Sequence, residues 1–157
     1  MRIKIVCLGK LKEKYLKDGV EEYIKRISRF AKAEIIELPD EKIPDNPNQS
    51  QCTSILKTEG EKIKKHIEGY VIALCVEGDN ISSEKLAEKI GSITLNGNST
   101  ITFIIGGSLG IDDGVKALAD FKLSFSKMTF PHQLMRLILT EQLYRAFKIN
   151  ANESYHK

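Results

Sequence analysis

Three stretches of this chain carry residue types suited to chemistry, and each lies beyond a stretch that reads as an ordered element. The first is Gly106-Gly107-Ser108-Leu109-Gly110, directly after the apolar run Thr100 to Ile105. Glycines spaced this closely let a backbone approach a ligand or another chain segment. The pattern is neither GxGxxG nor a loop ending in GK[ST], which argues against a dinucleotide or a nucleoside triphosphate. Taken alone, the run is equally well a plain tight turn. The second stretch is the loop 124–130, in which Ser124, Ser126 and Thr129 set short hydroxyls beside backbone amides. Such a loop suits an uncharged planar group such as adenine, or it is a capped turn ahead of Pro131. The third is the ending Tyr155-His156-Lys157, a stacking ring, a titratable imidazole and a cation in a row. Termini usually fray, but a polar end only six or seven residues past a helix can reach a neighbouring site. His132, directly after Pro131, reads as a hydrogen-bonded structural residue, and His66 as a favourable charge at a Lys-rich helix end. Three scattered cysteines and three scattered histidines lack ligand spacing, so no metal site is expected.

The elements that must position these stretches alternate along the chain. Arg2 to Leu8 is a first strand closed by Gly9, and Leu11 to Phe30 follows with apolar residues near helical spacing. Ala33 to Leu38 is a second strand. The segment 39–51 holds three prolines among Asp, Asn and Ser, and reads as a loop. Ile55 to Ile67 is an amphipathic helix ended by Gly69. Tyr70 to Val76 is a continuous apolar run, the pattern of a strand buried on both faces, with a turn at 77–80. Ser82 or Ser83 caps a helix through Ile90. Thr100 to Ile105 is a second buried strand, Asp112 and Asp113 open a helix to about Asp120, and Leu123 to Phe125 is the last strand. Pro131 suits the first turn of a long final helix.

That helix is apolar on more than one side, through Leu134, Leu137, Ile138, Leu139, Leu143, Ala146 and Phe147. One face is expected on the sheet and another against a second subunit, most simply in a two-fold dimer. Its polar residues Arg136, Glu141, Arg145 and Lys148 argue against a fully internal helix. The alternation predicts one α/β domain over residues 1–157, with a mainly parallel sheet and helices on both faces. Ligands in such sheets bind beyond the carboxyl ends of the strands, and three turns qualify: the one after Val76, the glycine loop and the loop 124–130.

At 157 residues, 41% hydrophobic and 29% charged, the composition is that of a globular protein able to bury a core without disulfides. No apolar run approaches the roughly 18 residues of a membrane span, and no secretory signal precedes the first strand. Cys7 and Cys75, inside strand patterns, are expected as buried thiols in a reducing cytosol. The net charge is only +3, but residues 1–32 carry ten Lys/Arg against four acids, residues 33–121 eight against fifteen, and residues 122–157 six against two. If the two ends lie together they form a basic face attractive to phosphates; otherwise the lysines are a solvated helix face.

Several motifs resemble one family. IIGGSLG, then LSFSKMTFPHQLMRLILTEQLYRAFKI, then a terminal YHK are similar to the RlmH family of SPOUT-class RNA methyltransferases, as are KIVCLGKLKEKY and LPDEK at 38–42. The resemblance spans most of the chain and is thin over 43–56, to which no role is assigned. It implies a cytoplasmic homodimer with a deep C-terminal trefoil knot, which no periodicity reveals. It also implies S-adenosyl-L-methionine (AdoMet)-dependent methylation at N3 of pseudouridine 1915 in 23S ribosomal RNA, on assembled ribosomes. DNA and membranes are not expected partners. Carried onto this sequence, the cofactor-binding positions are Leu74, Gly106, Phe125, Ser126, Lys127, Met128, Thr129 and Phe130. The tail Tyr155, His156 and Lys157 is the substrate-facing end. His156 is the candidate for proton handling, Tyr155 for stacking on or orienting the base, and Lys157 for contacting RNA. The competing expectation is a non-catalytic RNA- or ribosome-binding module with the same fold. A nucleotide-dependent oxidoreductase fails for want of the glycine fingerprint.

Overall fold

The protein is described by a computed structural model covering residues 1–155. Five parallel strands form one sheet: β1 (Arg2–Leu8), β2 (Lys32–Leu38), β3 (Tyr70–Asn80), β4 (Thr100–Ile105) and β5 (Phe121–Ser124), in the order β2-β1-β4-β3-β5. The helices are α1 (Lys14–Ile27), α2 (Gln49–Lys64), α3 (Ser83–Leu95), α4 (Asp113–Lys116) and α5 (His132–Asn150).

The period of two in the strands sorts side chains between two cores. Ile3, Ile5, Cys7, Ile72, Ile101, Phe103 and Ile105 face α1, α3 and α5, whereas Val6, Leu8, Val71, Ala73 and Ile104 face α2 and α4. From β3 the chain steps through α3 to β4, then crosses back through α4 to β5 on the far side of β3. Crossovers in opposite directions with one hand must lie on opposite faces, which is why α3 and α4 belong to different cores. The direction of winding reverses here, and a crevice opens at the strands' carboxyl ends.

Several boundaries differ from the sequence expectation. Helix α2 starts at Gln49, inside the segment read as a loop. Asn48 and Gln51 form a capping box, with the Gln51 amide donating to Asn48 Oδ1 at 2.8 Å and the Asn48 amide to Gln51 Oε1 at 2.9 Å. Polar residues that looked like turn formers are helix starters here. Helix α3 runs on to Leu95, past Ile90. Helix α4 is a single turn, because Asp120 is drawn to β3: its amide donates to Val71 O at 2.9 Å and its carboxylate accepts from the Val71 amide at 2.7 Å. The turn expected at 77–80 is a bulge, since Leu123 of β5 pairs with both Leu74 and Asp79. Cys7 is buried as expected, and desolvation lifts its thiol to about 11, but Cys75 beside that bulge is only half-buried.

Helix α5 buries Leu139, Leu143 and Ala146 completely, each leucine contributing on the order of 1.5–3 kcal/mol. Arg136, counted above among the residues that keep this helix in water, is itself fully buried. Its Nη2 donates to the carbonyls of Leu8 and Gly9 at 2.7 and 2.6 Å, and its Nη1 to Glu37 Oε1 at 2.8 Å. The argument from Glu141, Arg145 and Lys148 stands, as these remain partly exposed. Helices α1 and α5 pack side by side, bringing the two basic ends of the chain together. Among the described residues no helix is long and apolar enough to cross a membrane.

Candidate functional site

A cleft of about 640 Å³ opens at the carboxyl ends of β3, β4 and β5, within the size range of small-molecule sites. Its first wall is the glycine loop. Gly107 and Gly110 pair across a tight turn, with the Gly110 amide donating to Gly107 O at 3.0 Å and Gly110 at a φ of +92°. A Cβ on Gly106 would lie 2.3 Å from Gly110 O, so this turn closes only over glycine. The second wall is the loop 124–130. Ser124 Oγ donates to Ser126 O, and Ser126 Oγ accepts from the Met128 amide, both at 3.0 Å. The serine hydroxyls therefore shape the loop as a capped turn, and the loop so shaped lines the cleft. The third wall is the β3 bulge, which exposes Cys75, Val76 and Glu77 to the cavity. Bulges commonly re-aim side chains beside sites in this way.

Of the cofactor positions expected from the sequence, Leu74, Gly106, Phe125, Ser126, Met128, Thr129 and Phe130 all line this cleft. Lys127 lies in the same loop but is exposed, and is not part of the lining. Tyr155 sits elsewhere. Its hydroxyl donates to Glu141 Oε1 at 3.1 Å and lies 3.4 Å from Tyr23 Oη, while its ring meets Tyr144 edge-on at 4.8 Å. Met135 is the last helix residue of the lining, and Tyr144 is nine positions further along α5, a rise of about 14 Å. Desolvation, reinforced by Tyr23 and Glu141, raises the Tyr155 phenol well above its usual value, so the ring stays neutral. His156 and Lys157 lie outside the described residues.

The cleft also holds residues that sequence reasoning missed. Lys116 of α4 and Glu77 of the bulge form an ion pair at 2.5 Å across it. The hydrogen bond to Lys116 holds the Glu77 carboxyl below its usual value. Burial is the largest single influence on the Lys116 ammonium and lowers it, but the hydrogen bond to Glu77 together with the charges of Glu77 and Asp113 outweighs burial and leaves it raised. The one available signal was the position of Glu77, the first charge beyond a buried strand; nothing in the sequence pairs it with Lys116. His132 and Met135 complete the wall where α5 begins.

His132 is half-buried, and its pKa is lowered from 6.5, first by desolvation and then by the neighbouring Arg136 charge. The imidazole is thus neutral at physiological pH and can accept a proton or a hydrogen bond inside the cleft. The unfolded chain binds this proton more readily than the folded one, so stability rises with pH through this window. His132 contributes fully above the ordinary value of 6.5 and progressively less as pH falls toward its lower folded value. Urea unfolding of His132→Gln should show a shallower loss of stability below that pH than the parent; equal slopes would contradict the assignment.

A family model described as "Predicted SPOUT methyltransferase" matches residues 1–156. The chain is 57% identical over 159 aligned residues to the ribosomal RNA large subunit methyltransferase H of Clostridium novyi (strain NT), and covers 100% of both proteins. It is 55% identical over the same span, again with 100% coverage of both, to the protein of that name from Bifidobacterium animalis subsp. lactis (strain AD011). The crystal structure of a probable methyltransferase from Bordetella pertussis Tohama I superposes with a TM-score of 0.55 over 92% of this chain and 93% of that one. At 9% identity this last likeness is one of fold alone.

Proposed function

This chain belongs to the SPOUT methyltransferase family, as one of the ribosomal RNA large subunit methyltransferase H proteins, and from that premise we propose that it methylates N3 of pseudouridine 1915 in 23S ribosomal RNA on assembled ribosomes, using AdoMet. The observation that carries the reading is the meeting of the glycine loop, the loop 124–130 and the β3 bulge in one cleft. The chemistry of those walls fits AdoMet. Leu74, Ile105, Phe125 and Phe130 offer apolar surface to an adenine ring, and Glu77 with Lys116 offers both charges to a zwitterionic amino-acid end. The C-terminal knot expected of this family belongs to the same reading.

When bound, AdoMet supplies an electrophilic methyl on a sulfonium, transferable in line to a nitrogen with no covalent enzyme intermediate. The residues of this chain hold the two reactants in register and exclude water. The N3 proton must also leave. His156 is assigned to that proton, Tyr155 to orienting the base and Lys157 to the RNA. Tyr155 packs on Tyr144, which lies about 14 Å along α5 from the last cleft-lining residue of that helix, Met135, so the reading includes a homodimer that brings one chain's tail toward the other's site. Leu134, Leu137 and Ile138, half-buried on the first half of α5, are the surface assigned to that contact, with Ile138 beside Ile81 and Phe130 and Leu137 beside Gly19 of α1. A protein acting on ribosomes works in the cytoplasm.

Calorimetry with S-adenosylhomocysteine (AdoHcy) separates this enzyme from a non-catalytic ribosome-binding module, which would take up none. Mass mapping of ribosomal RNA from cells with and without the protein then reads the target. A chain ending at Ser154 should bind AdoHcy normally while losing methyl transfer to ribosomes by about a hundredfold, the order of a missing acid–base group. Near-normal transfer by that chain would remove the tail from the mechanism.

A further inference from the structure

We propose that Arg26, in the last turn of α1, is a phosphate-binding fork that grips the RNA backbone beside the chain's terminus; the proposal rests on the ribosomal RNA reading above. Its guanidinium is already held in place. Nε donates to Glu22 Oε1 at 2.8 Å, and Cζ lies 5.5 Å from the ring centre of Tyr23 and 5.8 Å from that of Tyr144. One edge and the ring-facing side of the group are thus engaged. Among the described residues neither terminal nitrogen has a protein partner, and 43% of the side chain remains exposed. What is left is a planar pair of N–H donors with little rotamer freedom still to lose, the geometry that matches two phosphate oxygens.

Arg29, one turn further on, shows what a satisfied arginine looks like here. Its two terminal nitrogens already grip Glu153 at 3.2 and 2.8 Å. A carboxylate on a protein partner offers the same two-oxygen geometry as a phosphate, but the surroundings favour RNA. Lys25, Arg29 and Lys32 flank Arg26 in sequence, within residues 1–32, where ten cations stand against four acids. The half-buried rings of Tyr23 and Tyr144 lie among these charges, and basic residues interleaved with aromatics are the usual make-up of a surface that tracks a polynucleotide. The site also adjoins the tail: Tyr155 contacts both tyrosines that support Arg26, at 3.4 Å from the Tyr23 hydroxyl and 4.8 Å from the Tyr144 ring centre. A phosphate held at Arg26 would anchor the strand within one aromatic ring of the substrate-facing end.

The test compares Arg26→Ala and Arg26→Lys with the parent in the full chain. Measurements are binding to purified ribosomes over a salt series, AdoHcy affinity by calorimetry, and mass by light scattering. Arg26→Ala should weaken ribosome binding about tenfold and reduce the slope of log affinity against log salt by about one. Arg26→Lys should keep the slope but recover only part of the affinity, because an ammonium cannot make the fork. Both should bind AdoHcy as the parent does and keep its mass. An unchanged affinity or salt slope in Arg26→Ala overturns the proposal, as does full recovery by Arg26→Lys. A changed mass overturns it too, since Arg26 would then serve a subunit contact. Failure of the parent to bind AdoHcy is a distinct result, and it sinks the methyltransferase reading instead.

Discussion

Replacing Arg136 with methionine should lower the unfolding free energy by about 3–5 kcal/mol, the cost of removing one partner from a buried charged network. The side chain is fully buried and makes three charge-assisted bonds, to the Leu8 and Gly9 carbonyls and to Glu37. Methionine fills much of the volume but takes the guanidinium donors from the Leu8 and Gly9 carbonyls and leaves the Glu37 carboxylate with the longer bond from the Leu11 amide, at 3.3 Å. The damage should extend to the cleft. Arg136 ties the first turn of α5 to the ends of β1 and β2, and that same turn supplies His132 and Met135 to the wall. Urea unfolding should therefore show a lower midpoint with an unchanged slope, and calorimetry a weakened AdoHcy affinity in the fraction that remains folded. Arg136→Lys should fall between the two, since one ammonium cannot reach both carbonyls and the carboxylate in a planar array. A midpoint unchanged in Arg136→Met would mean that the network contributes nothing net.

The second large effect is expected at Gly106. Substitution by valine sets a Cβ 2.3 Å from Gly110 O and 2.5 Å from its carbonyl carbon, with Ile111 Cγ1 at 2.8 Å. All but the last are backbone atoms, so the strain cannot be relieved by a rotamer change. The turn 106–110 must open, and with it the wall it forms. Overpacking of this kind costs about 1–3 kcal/mol of stability. Binding should suffer more: we expect AdoHcy affinity to fall at least about a hundredfold, because the backbone that approaches the ligand has moved. Gly107→Ala is the control. A Cβ there meets nothing closer than 3.5 Å, from Glu59 Oε2 and Leu8 Cδ1. If valine at 106 and alanine at 107 leave affinity equally intact, the glycine loop is a turn and no part of a ligand site.

Much of this protein was legible in its sequence. Apolar alternation in Arg2 to Leu8 and the unbroken runs Tyr70 to Val76 and Thr100 to Ile105 depend only on neighbours a few residues apart. They announced a parallel sheet covered on both faces. The cleft loops were legible because ligand sites lie at strand carboxyl ends and because the motifs from Ile104 onward resemble one family. Of the residues that the resemblance marks as expected cofactor contacts, all but Lys127 line one cavity.

What only the tertiary structure decided concerns pairs distant along the chain. Arg136 looked like a solvent-facing residue because helical periodicity cannot tell that carbonyls 127 and 128 positions away will receive its guanidinium. The Glu77–Lys116 pair across the cleft depends on where β5 crosses back past β3. Arg26, Tyr23, Tyr144 and Tyr155 meet because α1 and α5 pack side by side. Local sequence determined which elements form and which face of each is apolar, since those preferences act over a turn or a pleat. The placement of charge against charge, and of Tyr155 against Tyr144 and Glu141 away from the cleft, follows from strand order and helix packing, which no local preference encodes.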